Sequence, residues 1–230
     1  CQFNNNGNYD LWYSGTIGGS VTGTTINTGI YLLGTGTVSF SGNTVNQNNA
    51  YPIRAYADNV GLIVNGCTFV NVTSASYLEV YSGNVTMDAT WTATIPYLIS
   101  SYTTVQGATS AGAVLTIAPG AVLRFNQSRS LNIGAASGNP GALVAQGTAA
   151  NPITFTSNQA TPTAGYWNQI RFDNTSDDAT SILDHCSVQY AGSGGQGALY
   201  LNQASPTIRN TTVANSSSHG INLSSGTPAI

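Results

Sequence analysis

Lysine is absent from this 230-residue chain, and five arginines carry all of its side-chain positive charge. Charged residues of both signs make up only 6% of it, against about 25% in an ordinary soluble domain. Glutamate occurs once, as Glu79, and methionine once, as Met87. With helix-favouring side chains so scarce, and Gly, Asn, Thr and Ser every few residues, no window sustains a helical period. A net charge of −3 with no basic cluster speaks against nucleic acid and anionic membranes as partners. No run of 18 apolar residues is present, so no membrane-spanning helix is expected. The stretch from Cys1 to Tyr9 is polar and carries no signal-peptide pattern.

What the chain has in quantity is short apolar alternation. Hydrophobic residues are 41% of it and mean hydropathy is near zero, enough for one core or at most two. Val38-Ser-Phe40, Leu62-Ile-Val64, Ile153-Thr-Phe155, Ile170-Arg-Phe172 and Leu199-Tyr-Leu201 each alternate over three residues. Such runs predict short strands with one buried face, and so an all-β fold.

Internal repetition narrows the architecture. Phe40-Ser-Gly-Asn43-Thr-Val45, Val64-Asn-Gly-Cys67-Thr-Phe69, Leu183-Asp-His-Cys186-Ser-Val188 and Ile208-Arg-Asn-Thr211-Thr-Val213 share one pattern, and Cys1-Gln-Phe3 fits its second half. The anchors 1, 43, 67, 186 and 211 are spaced by multiples of a period of 21 to 25 residues. A second run follows each anchor: Leu11-Trp-Tyr13, Ile53-Arg-Ala55, Leu78-Glu-Val80, Leu199-Tyr-Leu201 and Ile221-Asn-Leu223, with Ile30-Tyr-Leu32 between the first two. A helix-free repeat of this length predicts a right-handed parallel β-helix of nine or ten coils. Asn5, Asn71 and Asn215 fall where a tight corner needs left-handed backbone.

One stretch is more specific. Leu115-Thr-Ile-Ala-Pro-Gly-Ala-Val-Leu-Arg-Phe125 is followed by Ala142-Leu-Val-Ala-Gln-Gly-Thr148, Asn151-Pro-Ile-Thr-Phe-Thr-Ser157, Trp167-Asn-Gln-Ile-Arg-Phe172 and Ser205-Pro-Thr-Ile-Arg-Asn210. This order resembles the right-handed parallel β-helix repeat proteins of bacterial secreted and cell-surface type, with pectate-lyase-like architecture. The resemblance implies the fold and an extracellular or cell-surface location. It leaves activity open, because the architecture hosts lyases, hydrolases, adhesins and inert stalks.

Residues 1–230 are read as a single β-helix segment, with a loop insertion or a junction between two stretches as the alternatives at 85–115. The expected ends are uncapped: Cys1 begins inside a repeat, and Thr227-Pro-Ala-Ile230 restarts one. A segment of a longer chain, or subunits associating end to end into a fibre, would each account for that. Cys1, Cys67 and Cys186 are expected in one interior column. They would lie several coils of about 4.8 Å apart, too far for a disulfide, so three buried free thiols are expected.

Two groups of side chains are candidates for function. Trp12, Tyr31, Arg54 and Glu79 face outward in four successive coils of the second run, where aromatic faces beside polar groups suit a sugar ring. Tyr56, Tyr77, Tyr81 and Trp91 are expected to extend that patch. Half of the eight acids lie within 173–184. Asp173, Asp177 and Asp178 beside Arg171, with His219 further on, give a weak carboxylate arrangement for polysaccharide cleavage, and the same three acids a weak Ca²⁺ site. The order resembles the polygalacturonase pattern of acid, acid pair and histidine. It departs from that pattern in lacking the glycine before His219 and any lysine after it.

The leading expectation is a non-enzymatic structural or adhesive segment of an exported surface or fibre protein that binds a polysaccharide or other surface ligand and needs no cofactor. A β-helix polysaccharide lyase or glycoside hydrolase, with or without Ca²⁺, is the alternative.

Overall fold

The computed structural model describes residues 1–3, 6–16, 18–36, 38–47 and 53–230, so the corner expected at Asn5 lies outside the described residues. Each circuit of the chain returns to one parallel sheet of nine strands: Leu11–Thr16, Ile30–Thr35, Ile53–Tyr56, Leu78–Ser82, Tyr97–Ile99, Val122–Phe125, Ile153–Ser157, Cys186–Gln189 and Thr212–Ala214. Two further faces close each coil. In the C-terminal half they are five-stranded sheets, one running from Thr103–Val105 to Ile221–Ser225 and one from Ala89–Trp91 to Thr207–Arg209. In the N-terminal half a two-stranded and a three-stranded sheet take their places. Every strand pairing is parallel and joins a coil to its neighbour. The fold is a parallel β-helix.

Strand periodicity explains the interior. Along Ala113–Ile117 and Ile153–Ser157 buried and half-buried residues alternate, as a period of two requires. Identical registers then stack like upon like between coils. Leu78, Tyr97, Leu123, Phe155, Val188 and Val213 form one inward column, and Leu32, Ala55, Val80, Ile99 and Phe125 another. Trp167 lies flat on Phe125, ring centroids 4.0 Å apart, and its indole N–H donates to the Gln189 carbonyl at 2.8 Å.

Polar corners are satisfied along the axis. Asn71 donates to Asn46 Oδ1 at 3.0 Å and Asn46 to Asn27 Oδ1 at 3.5 Å, a ladder one amide per coil. Asn71 and Asn215 adopt φ of 57° and 54°, as their corners demand. Buried Asn43 accepts from the Thr24 N–H at 3.0 Å and donates to the Val21 carbonyl at 2.8 Å.

The structure corrects several expectations. Measured along the nine-stranded sheet, coil lengths run from 19 residues (Leu11 to Ile30) to 33 (Phe155 to Val188), wider than the expected 21 to 25. Counting by a fixed period therefore loses the face across the long coils. Asn43 pairs with Cys67 in the three-stranded sheet, but Cys186 pairs with Ile153 in the nine-stranded one. Leu199 and Ile221 pair with each other in a different sheet from Leu11 and Leu78. Of the three free thiols only Cys186 is buried; Cys67 is half-buried and Cys1 exposed. Leu62-Ile-Val64 is not a strand but part of a helix, α1 (Ala57–Gly66).

That helix stands where other coils carry a strand. Ala57, Val60, Ile63 and Val64 point inward at helical spacing and are buried. It has no side-chain N-cap, and two glycines weaken it, so packing rather than propensity holds it. Gly66 passes so near the preceding coil that a Cβ there would lie 2.3 Å from the Phe40 carbonyl oxygen. Only the nine-stranded sheet runs unbroken past α1. The stretch 85–115 carries Ala89–Trp91, Tyr97–Ile99, Thr103–Val105 and Ala113–Ile117.

Candidate functional site: an aromatic ladder on the continuous sheet

Trp12, Tyr31, Arg54 and Glu79 are register partners in four successive strands of the nine-stranded sheet. Their common phase, one residue after an inward Leu or Ile, turns all four outward. Trp12 stacks on Tyr31 with centroids 4.0 Å apart and planes 10° from parallel. Tyr9, just before the first strand, packs edge-on against Trp12 at 5.8 Å and tilts onto Tyr31 at 5.0 Å. Trp12 remains 59% exposed, the largest apolar side chain offered to solvent among the described residues.

The charges beyond the rings cancel locally. Arg54 Nε donates to Glu79 Oε2 at 2.5 Å and Nη2 to Oε1 at 3.2 Å. Ser100 Oγ adds a 2.7 Å bond to Glu79 Oε1. The Glu79 bond raises the Arg54 pKa above its ordinary value, against the opposing effect of burial. The guanidinium also lies 5.8 Å from the Tyr31 centroid and 4.6 Å from that of Tyr81. Burial raises the Tyr9 phenol above its usual pKa, partly offset by Arg54. Tyr81 thus joins the patch. Trp91 does not: it is fully buried and stacks on the interior ring of Tyr97 at 5.1 Å.

The acids near the C-terminal end are each held by their own neighbours. Asp173 takes two bonds from Arg171, at 2.7 and 2.8 Å, and one from Asn202 Nδ2 at 2.5 Å. Asp177 accepts from Thr180 Oγ1 at 2.7 Å, and Asp178 from Ser176 Oγ at 2.6 Å. Arg171 in turn covers the Tyr200 ring at 5.2 Å. His219 is exposed, and its carbonyl accepts from Ala198, which bonds in turn to Ile170. By strand register that places it two coils across and five residues along from Asp173, on the order of 20 Å away. Among the described residues no three of His, Cys, Asp or Glu gather where they could hold a metal ion.

A family model matches part of this chain. Residues 83–193 match the pectate-lyase like beta helix domain. No curated protein and no solved structure matches. The pectate-lyase-like match takes in Arg171, Asp173, Asp177 and Asp178, whereas the aromatic ladder and α1 precede it.

Sequence reasoning missed Tyr9 and the whole surrounding of α1. The signal was present: Ala57, Val60, Ile63 and Val64 recur at helical spacing, with Asp58 in the first turn, where a carboxylate is favoured. At the start of α1 a cavity of about 370 Å³ opens between Tyr56, Asp58, Asn59, Ser82, Gly83, Asn84 and the Gly34 corner. Asp58 is fixed there by the Thr86 N–H at 2.6 Å and the Thr86 hydroxyl at 2.7 Å.

Proposed function

We propose that this β-helix is a structural, adhesive segment of an exported bacterial surface or fibre protein, and that its aromatic ladder binds a polysaccharide. The observation that carries the reading is the exposed Trp12–Tyr31 stack beside a self-neutralised Arg54–Glu79 pair. A pyranose ring has an apolar C–H face and a rim of hydroxyls. The part of Trp12 that the stack leaves exposed suits the first, and the edge groups of Tyr9, Tyr31 and Arg54 suit the second. The pair's cancelled charge favours a neutral or weakly charged glycan over a polyanion. A parallel sheet supplies a rigid platform, since every coil is bonded to the next. Low overall charge supports the structural part of the reading, because side chains stacked every ~4.8 Å avoid like charges in one column.

The test is a panel of insoluble and soluble polysaccharides (cellulose, xylan, chitin, pectins, alginate), measured for both retention and product release, with and without Ca²⁺. Retention without release, lost in Trp12→Ala, is the expected result. Release of soluble oligosaccharides from any of them would overturn the non-enzymatic reading and turn attention to Asp173, Asp177 and Asp178.

A further inference from the structure

Three successive coils join the same two columns of register partners. Tyr13, Leu32 and Ala55 stand in one column of the nine-stranded sheet, and Thr25, Thr44 and Thr68 in one column of the three-stranded sheet. The chain crosses between the columns in twelve, twelve and thirteen residue steps. The first two crossings run through the strands Gly19–Thr22 and Val38–Ser41, and the third coils into α1. Chain length therefore does not impose the helix, since one residue is all that separates the crossings.

The sequence of the third crossing does not impose it either. Counted back from the Asn43–Cys67 pair, Val64 falls opposite Phe40, Leu62 opposite Val38 and Gly66 opposite Gly42. Val38 and Phe40 are the inward, buried residues of their strand, so both coils carry one strand alternation. Val60, Ile63 and Val64 are β-branched and suit a strand better than a helix. Gly61 and Gly66 are poor helix formers, and α1 has neither a side-chain N-cap nor a basic residue in its last turn.

The place such a strand would take is open. Val38–Ser41 pairs on one side only, with Gly19–Thr22. Among the described residues no backbone hydrogen bond joins it to α1. A cavity of about 480 Å³ lies there instead, bounded by Ser39, Phe40, Leu62 and Asn65 and, on the far side, by Ala89 and Thr90. An unpaired edge is a template for another strand, and here the nearest chain already carries the matching pattern.

We infer that Ala57–Gly66 is a two-state element, which interconverts between α1 and a strand at 62–65 added to Val38–Ser41. The two-stranded sheet then gains a third strand, as the adjoining sheet already has in Cys67–Val70. The states bury different side chains. The helix buries Ile63 and leaves Leu62 half-buried; the strand turns Ile63 outward beside Ser39 and buries Leu62. Lost burial of one side chain is set against new ladder hydrogen bonds, a balance that holds two packings of one sequence close in free energy. The nine-stranded sheet is the same in both states. The wall beside the aromatic ladder changes while the ladder stays in place.

The test is exchange-saturation NMR on the whole chain, reading Cα and Cβ shifts at 60–65. A minor state with strand shifts is expected. Ile63→Thr places a hydroxyl in the core only in the helix, so it should raise the strand population roughly tenfold or more. Leu62→Gln buries an amide only in the strand and should lower it by a similar factor. A Cβ on Gly61 would meet nothing closer than 3.4 Å, and Gly61→Ala should lower the strand population about fivefold through helix preference alone. A trap reads the same equilibrium independently. Ser39 is exposed and Ile63 buried, so Ser39→Cys with Ile63→Cys, in a Cys1→Ser, Cys67→Ser background, closes a disulfide only in the strand, where paired Cα atoms are about 4.8 Å apart. It should oxidise in native buffer with the Trp12 and Tyr31 resonances unmoved. The inference is overturned if neither the parent nor Ile63→Thr shows a strand state, if residues 60–65 take random-coil shifts instead, or if the disulfide closes only in denaturant.

Discussion

Trp12 and Tyr31 lie face to face, their ring centroids 4.0 Å apart and their planes within 10°, although a complete coil of chain separates them. The coil spacing brings this about: strands in a parallel sheet sit ~4.8 Å apart, close to the distance at which aromatic rings stack. A ladder of this kind stabilises the sheet and presents a surface at the same time. The two contributions separate in the following measurements.

Trp12→Ala removes an exposed stack worth about 0.5–1.5 kcal/mol and leaves the interior untouched. Its melting temperature should fall by no more than a few degrees. If the ladder binds glycan, retention on the preferred polysaccharide should fall at least tenfold. Affinity electrophoresis checks this. A melting change without a retention change would make the ladder purely structural.

Glu79 carries the opposite balance. It is 7% exposed and satisfies Arg54 twice. Glu79→Ala leaves the guanidinium among Tyr9, Tyr31 and Tyr81 without its counter-charge. The expected loss is about 1–3 kcal/mol, reduced from that of a fully buried pair because Arg54 is partly wet. A double-mutant cycle with Arg54→Met should recover part of it.

Much of this was legible in advance, and the misses have a physical cause. The register of Trp12, Tyr31, Arg54 and Glu79 follows from the spacing of their inward neighbours, since the first coils are short and nearly regular. Cys186 was placed in the wrong column because the coils before it lengthen to 33 residues, and corner loops take up the excess without a hydrophobic signature. α1 escaped because Leu62-Ile-Val64 reads as a strand locally. Tertiary burial of Val60, Ile63 and Val64 selects the helix over it. The cavity at Asn59 was invisible for the same reason.

Close packing between coils makes some glycines irreplaceable. A Cβ on Gly141 would stand 1.8 Å from the Val105 carbonyl oxygen, whereas one on Gly194 would meet nothing closer than 3.9 Å. Gly141→Ala should cost about 1–3 kcal/mol, or ~3–10 °C in melting temperature. Gly194→Ala should stay within about 0.5 kcal/mol of the parent. Equal effects would show that the coils slide apart freely.

Asp10 ties the first coil to the second. Its carboxylate accepts from the backbone N–H groups of Asn27 and Thr28, at 2.5 and 2.9 Å, and from Asn6 at 2.6 Å. Burial pushes its pKa up, but the Thr28, Asn6 and Asn27 bonds outweigh this and hold it below the ordinary value. A lowered folded-state pKa contributes stability above the unfolded value of about 3.9, lost as pH falls through the lower folded one. Hydrogen-exchange protection of the Asn27 and Thr28 amides should persist to about pH 4 and decline below it. In Asp10→Asn that pH step should vanish.

The thiols differ by environment. Burial pushes Cys67 and Cys186 each up to about 12, whereas Cys1 is exposed. A maleimide at pH 7 should label Cys1 alone in the native protein and all three thiols in guanidinium. Native labelling of Cys186 would mean that its coil opens.

The hydrogen bonds between coils point along the solenoid axis, so tension on the two ends is carried coil by coil, like load through links in series. Over most of its length three walls share that load. At α1 two of them lose their strand pairing, and only the sheet through Ile53–Tyr56 and Leu78–Ser82 continues. Side-chain ties such as Asn65 to the Thr90 carbonyl at 2.9 Å supplement it. The helix therefore marks the cross-section where, among the described residues, strand pairing between coils is thinnest. Under tension on the two ends, the load there passes from three walls to one.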